Sequence, residues 1–227
     1  MHTSTDMALY PLLSWMSPAY PVGAFTFSQG LENAVDTKLI NNFKQTSNWI
    51  AQMLEFGNGY SDLVFLACAW ESAYDKQSLK DLMLTALAFL PTSELHLEST
   101  AQGAAFFKVT QDTWSCETLD LLLSLKLKHH AYPVVVGIAA RGHQIDKTTL
   151  MSAFGHAYLS NLVSAAVRLV PLGQTDGQRL IASLNHPLLE TIERALTTSP
   201  TDLATSTLMA DITSMHHETQ YTRLFRS

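Results

Sequence analysis

A helical spacing of apolar residues runs through most of this chain and limits the folds that it can adopt. After Asp146, apolar side chains recur every three or four residues up to the next proline, which predicts one long amphipathic helix. The same spacing begins near Asn41 and returns in most later segments. The stretch VVVGIAA after Pro133 has enough β-branched residues for a buried strand, but we favour a helix there. The pattern predicts an all-α, single-domain bundle of roughly eight to ten helices over residues 1–227, with a C-terminal tail that can be flexible.

Polar residues ahead of the helical segments predict where several helices begin. Ser78, Thr92 and Asp146 each stand directly before or at the start of an apolar-periodic run, where a side-chain oxygen can accept a free backbone N–H. Asp202 is expected to cap a last helix that reaches Met215.

The balance of charged and apolar residues narrows the function classes. Hydrophobic residues make up 47% of the 227 positions and charged residues only 15%, so we expect a partner or a second copy to cover part of the surface. The net charge of −6 has the wrong sign for a protein that binds nucleic-acid phosphates. The densest apolar runs are about half of the roughly 20 residues that span a bilayer, which predicts no membrane association. Two distant cysteines and the lack of a basic leader predict a cytoplasmic protein.

The common catalytic and metal-binding motifs are missing from the sequence. No G-x-x-x-x-G-K-[ST] motif is present to cradle nucleotide phosphates, and no H-E-x-x-H motif is present to bind a metal. In the pairs His129-His130 and His216-His217, adjacent side chains point about 100° apart, so a pair on a regular helix is poorly placed to chelate one ion. We expect the pairs to be solvated or to cap helix ends, with transient metal contact as the alternative. The separate carboxylates Glu55, Glu71 and Glu98 are expected to be surface charges. The sequence therefore predicts no catalytic residue, no cofactor and no metal ligand.

The segment SPAYPVGAFTFSQGLE, residues 17–32, departs from the helical pattern. Its two prolines discourage a helix and Gly23 permits a turn. We expect Phe25 and Phe27 to anchor this loop on the bundle, and Ser28 to cap the short helix that follows.

Three groups of side chains are candidates for binding a partner. Glu32 can offer a carboxylate to a basic partner, or it can be an ordinary charge in the first turn of a helix. A second group surrounds the break at Pro171, where its members can bind a partner or satisfy the final carbonyls of the helix; it comprises Arg168, Gln174, Gln178 and Arg179. The third group lies in the tail, residues 217–227, and has residue types that are common at interfaces; it comprises Tyr221, Arg223, Leu224 and Phe225.

Three segments resemble the urease accessory protein UreF family. They are SPAYPVGAFTFSQGLE, AAVRLVPLGQTDGQRL at residues 165–180, and MHHETQYTRLFRS at residues 215–227. They occur in the family's order and span nearly the whole chain. The resemblance implies an all-α, homodimeric, cytosolic protein without enzymatic activity. It implies a role in nickel insertion into urease, together with the accessory protein UreD (also called UreH), the GTPase UreG and the urease apoprotein.

Two other functions are compatible with the same residues. One is an α-helical enzyme that uses a pocket of dispersed His or Glu side chains, and a pocket with perturbed carboxylates would favour it. The other is a helical dimeric adaptor for an unrelated partner, which the tail and the low charge fraction would serve equally well.

Overall fold

Twelve α-helices and one 3₁₀ helix account for the secondary structure of residues 4–226, the range that the computed structural model describes, with side chains from Ala8 onward. The helices are α1 (Ser4–Trp15), α2 (Leu31–Asp36), α3 (Phe43–Phe56), α4 (Asn58–Ser72), α5 (Lys76–Ala88), α6 (Ser93–Thr113), α7 (Glu117–Ser124), α8 (Tyr132–Gly142), α9 (Lys147–Leu169), α10 (Gln174–Ser183), α11 (Asn185–Ala195) and α12 (Leu208–His217). The 3₁₀ helix is Ala24–Thr26. No residue within this range lies in a strand, so the predicted all-α class is confirmed.

The helices outnumber the roughly eight to ten that the pattern suggests, because some junctions are a single residue long. Gly57 ends α3 and begins α4, and Leu184 ends α10 and begins α11. Periodicity alone does not reveal such sharp turns. The stretch VVVGIAA lies entirely within α8, which confirms the helical interpretation.

Two of the predicted N-cap residues are confirmed, and each lies directly before the helix that it caps. Thr92 and Asp146 cap α6 and α9, each accepting the backbone N–H three residues ahead. Ser78 does not cap α5, because the Asp75 carboxylate accepts the N–H groups of Gln77 and Ser78, each at 2.9 Å, and the helix therefore begins earlier.

The last helix begins later than expected. Asp202 lies in a turn, and α12 starts only after Thr207. The intervening chain lies against α3, where the Ser206 N–H donates to the Phe56 carbonyl at 2.8 Å. This pairing uses backbone groups that a helix starting at Asp202 would need for itself.

Helix α8 lies at the centre of the core. Every residue from Pro133 to Ala140 is buried, and the buried hydrophobic side chains form one continuous cluster from Leu12 to Phe225. Gly137 allows α4 to approach closely, since a Cβ there would lie 2.6 Å from the Leu66 carbonyl oxygen. Within residues 4–226, no helix is long and apolar enough to cross a membrane.

The loop before α2 has the turn-rich conformation that its sequence predicts. Gly23 and Gly30 have φ values of 75° and 80°, in the left-handed region that favours glycine. Phe27 anchors the loop in the core, but Phe25 is 63% exposed and does not. The N-cap of α2 is Gly30 rather than Ser28, whose hydroxyl accepts the Glu32 N–H one turn further on, at 3.4 Å.

Candidate functional site

The predicted tail begins at residue 217, but His217 is the last residue of α12. The C-terminal tail of the structure, residues 218–226, packs against the body of the chain. The sequence predicts a tail that can be flexible, yet Phe225 is only 3% exposed. The Arg168 guanidinium of α9 lies 4.2 Å from the centre of the Phe225 ring. The Arg226 N–H donates to the Thr26 carbonyl at 2.7 Å, which joins the tail to the loop before α2. Residue 227 lies outside the described residues.

Glu32 holds the tail through both carboxylate oxygens. Its Oε1 accepts the Leu224 N–H at 2.6 Å, and its Oε2 accepts the Phe225 N–H at 2.9 Å. The same Oε2 lies 2.9 Å from Nε2 of His217. Glu32 is buried, so its carboxylate engages the chain's own tail instead of facing outward to a partner.

His217 connects Glu32 to a second buried carboxylate. Its Nδ1 lies 2.9 and 3.0 Å from the two oxygens of Glu94, at the start of α6. Burial by itself lowers the pKa of His217, but the hydrogen bonds to Glu94 and Glu32 outweigh burial and raise it. Arg223 places its guanidinium 3.6 Å from Glu94. We call these four residues, Glu32, Glu94, His217 and Arg223, the tail cluster.

The expectation that both histidines of the pair are solvated or capping is wrong for His217. His216 is exposed, whereas His217 is fully buried between α2 and α6. A signal for this difference is present in the sequence, because the buried residues of α12 are spaced three and four apart and include His217; they are Ala210, Thr213, Ser214 and His217.

The candidates around Pro171 divide into two sets, because Arg168 contacts the tail and the candidates on α10 do not. Arg168 donates to the Phe25 carbonyl at 3.0 Å and stacks on Phe225, so it joins α9 to both segments. On α10, Arg179 pairs with Asp176 at 2.8 Å in an exposed ion pair. Gln174 and Gln178 are exposed on the same helix. Among the described residues, no hydrogen bond, ion pair or ring contact joins these two glutamines or Arg179 to the tail.

A partly open cavity of about 70 Å³ is lined by two carboxyl groups with perturbed pKa values, Asp62 and Glu98. Burial and the nearby charge of Glu98 raise the pKa of Asp62 to about 8. Burial likewise raises the pKa of Glu98 to about 7, against the hydrogen bonds that its Oε1 accepts from Gln29 and Gln102. Oε2 of Glu98 is buried without a hydrogen-bond partner among the described residues. The expectation that Glu98 is a surface charge is therefore wrong, because α6 turns this side chain inward.

The cavity can hold several water molecules, since one water needs about 10–15 Å³. Its polar groups include the Tyr158 hydroxyl, which donates to Oε1 of Gln29 at 3.0 Å. Carboxyl groups with pKa values near 7 can exchange protons at neutral pH. Among the described residues, no group of three or more His, Cys, Asp or Glu side chains is arranged to hold a metal ion.

Comparison with known proteins decides the family. A family model described as UreF matches residues 40–185, well over half of the chain. The chain belongs to the UreF family. The urease accessory protein UreF of Rhodopseudomonas palustris strain HaA2 is 45% identical over 222 residues, covering 97% of this chain and 94% of the relative. That of Bradyrhizobium diazoefficiens strain USDA 110 is 43% identical over 222 residues, covering 97% of this chain and 92% of the relative.

The UreF family resemblance seen in three short segments thus extends over almost the whole chain. Around the docked tail, this UreF-family chain exposes large apolar and basic side chains together. Tyr221 is fully exposed and Leu224 is 63% exposed, while Arg168 contacts both the Phe225 ring and the Phe25 carbonyl. We call this exposed surface the tail face; it comprises Phe25, Arg168, Tyr221, Arg223 and Leu224. Exposed aromatic and arginine side chains of this kind are typical of protein interfaces.

Proposed function

We propose that this UreF-family chain is a non-catalytic adaptor in urease maturation. It bridges urease-bound UreD, also called UreH, to the GTPase UreG, and it couples GTP hydrolysis by UreG to nickel insertion. The observation that carries the proposal is the match to urease accessory proteins over 97% of the chain. The sequence contains no P-loop motif, which supports assigning nucleotide hydrolysis to UreG.

The tail face is the proposed docking surface for the partners. Arg223 has 41% of its side chain exposed and can form fork-like hydrogen bonds to a partner carboxylate. Because the tail already lies in a fixed position, less conformational entropy is lost when a partner binds. On α10, Gln174, Gln178 and Arg179 form a separate exposed surface that can contact a second partner.

The chain is also proposed to act as a homodimer in the cytoplasm. Helix α1 exposes three large apolar side chains, Leu9, Tyr10 and Leu13, which supports burial against another protein surface. Both cysteines, Cys68 and Cys116, are unpaired, which supports a reducing compartment.

Reconstitution of urease activation tests the adaptor role. Nickel-free urease is incubated with nickel, GTP, bicarbonate and the other accessory proteins, with and without this chain, and urease activity is measured. We expect activation to depend on the chain and to fall with Arg223→Ala. The matched control is Lys80→Ala, which removes an exposed cation from α5, away from the tail face. Equal activation without the folded chain would reject the proposal.

The cavity supports a second candidate function, an α-helical enzyme. Its specific observation is the pair of raised carboxyl pKa values at Asp62 and Glu98. In the reconstitution, Glu98→Gln separates the two functions. An adaptor that keeps its fold and its partners retains activation with this variant, whereas a role that needs proton transfer from Glu98 loses it.

A further inference from the structure

The geometry at His217 constrains the protonation state of the tail cluster. Both ring nitrogens lie 2.9 Å from carboxylate oxygens, one from Glu32 and the other from Glu94. Ionised carboxylates only accept hydrogen bonds, and a neutral imidazole donates from one nitrogen alone. With both carboxylates ionised, both contacts are therefore favourable when His217 is an imidazolium that donates from both nitrogens.

The two negative and two positive charges of the tail cluster balance when His217 is an imidazolium. Helix α2 contributes Glu32, α6 contributes Glu94, and the tail contributes Arg223, 3.6 Å from Glu94. Of the neighbouring charged groups, Glu218 accepts a hydrogen bond from the Ser93 hydroxyl. Further along α6, Glu98 lies close enough to interact electrostatically with Glu94. Without the proton on His217, two buried carboxylates have one cation near them instead of two, which is unfavourable in a buried site. The neighbouring His216 is exposed, and no described residue forms an ion pair with it.

The same Glu32 carboxylate holds the tail, which links the proton to tail docking. Oε2 of Glu32 accepts both from His217 and from the Phe225 N–H, while Oε1 accepts the Leu224 N–H. When the His217 ring loses its donor toward Glu32, a lone pair faces this oxygen and the carboxylate has to shift, which weakens both tail hydrogen bonds. We infer that the Nε2 proton of His217 controls docking of residues 218–226: the tail is bound while His217 is an imidazolium and is released when this proton leaves.

The direction of the pH dependence follows from the hydrogen bonds. Because Glu94 and Glu32 raise the pKa of His217 above its ordinary value, the docked tail is fully stabilised below that ordinary value. The stabilisation is lost as the pH rises through the raised pKa. Release exposes the Phe225 ring and frees the two carboxylates, so the tail face exists in its described form only on the acidic side of this transition.

The test uses the complete chain by itself, so its outcome is independent of the proposed function. Nitrogen-15 NMR of the histidine rings reports whether Nδ1 and Nε2 of His217 both carry protons. Hydrogen exchange of the Leu224 and Phe225 amides, corrected for the intrinsic pH dependence of exchange, reports tail docking. We expect both nitrogens to be protonated at neutral pH, and amide protection to fall by about tenfold for each unit by which docking raises the pKa. A His217 that is neutral while the tail stays protected, or protection that does not change as His217 titrates, overturns the proposal.

Two matched variants separate the proton from general effects on folding. His217→Gln can still fill the site but cannot donate to both carboxylates, so it should remove tail protection at every pH. His216→Gln changes the exposed neighbour on the same helix and should leave both the protection and its pH dependence unchanged. If His217→Gln fails to fold, Glu32→Gln tests the same link, because it should lower the pKa of His217 and release the tail. An unchanged His217 titration in a folded Glu32→Gln variant contradicts the proposal.

Discussion

Replacing Glu98 by glutamine should make the protein more stable at alkaline pH. Burial raises the pKa of Glu98 from 4.5 to about 7, so the folded state holds a proton that the unfolded state releases. The contribution of Glu98 to the free energy of unfolding is therefore highest below pH 4.5 and falls as the pH rises to about 7. At about 1.4 kcal/mol for each pKa unit, this loss is about 3 kcal/mol. Glutamine keeps the acceptor oxygen for Gln29 and Gln102 and carries no charge.

Urea unfolding between pH 5 and 9 measures this effect. The stability difference between Glu98→Gln and the wild type should grow with pH and level off at about 3 kcal/mol above pH 8. The matched control, Glu193→Gln, changes an exposed carboxylate on α11 and should give a curve parallel to that of the wild type. A Glu98→Gln curve that is also parallel to the wild type would refute the assignment of a buried, protonated carboxyl group.

Three further substitutions test other parts of the structure. Gly103→Ala would ordinarily favour α6 by about 1 kcal/mol, but its Cβ would overlap the His130 carbonyl oxygen. Chemical denaturation should therefore show a net loss of about 1–3 kcal/mol, and a gain in stability would contradict the close contact. Arg223→Ala should weaken binding to UreD or UreG by about 2 kcal/mol or more, measured by titration; unchanged affinity would count against its role as an interface anchor. Phe225→Ala should release the tail and lower the Tm, because the buried ring belongs to the core cluster. Trypsin should then cleave faster after Arg223, and an unchanged cleavage rate would show that the ring does not hold the tail.

The sequence predicted those helices whose position and start depend on residues close together in the chain. The apolar spacing after Asp146 and its side-chain cap are both properties of neighbouring residues, and they determine where α9 lies and where it starts. The interpretation of α8 as a helix succeeded for a similar reason, since Pro133 fits the first turn of a helix. The predicted start of the last helix was wrong because a residue distant in the chain competes for its backbone. Ser206, before α12, donates its N–H to the Phe56 carbonyl of α3.

The candidate site required contacts that lie far apart in the chain. Glu32, Glu94 and His217 belong to three helices and are separated by tens of residues, so no spacing rule connects them. Residue types in the tail indicated a binding segment, but they did not show that Phe225 packs inside while Leu224 faces out. Which side of the tail is buried depends on the register that Glu32 imposes through its two hydrogen bonds.

The sequence by itself determined the helical class, most helix positions and the resemblance to UreF, because these depend on local periodicity and on short ordered segments. Only the tertiary structure decided which charged groups are buried. Glu98 and His217 lie on helices that also have exposed polar residues, so residue type alone does not show that these two are buried. The groups that surround them come from other helices. Burial changes the energy of a charge through the groups packed around it, so its protonation is a property of the whole fold.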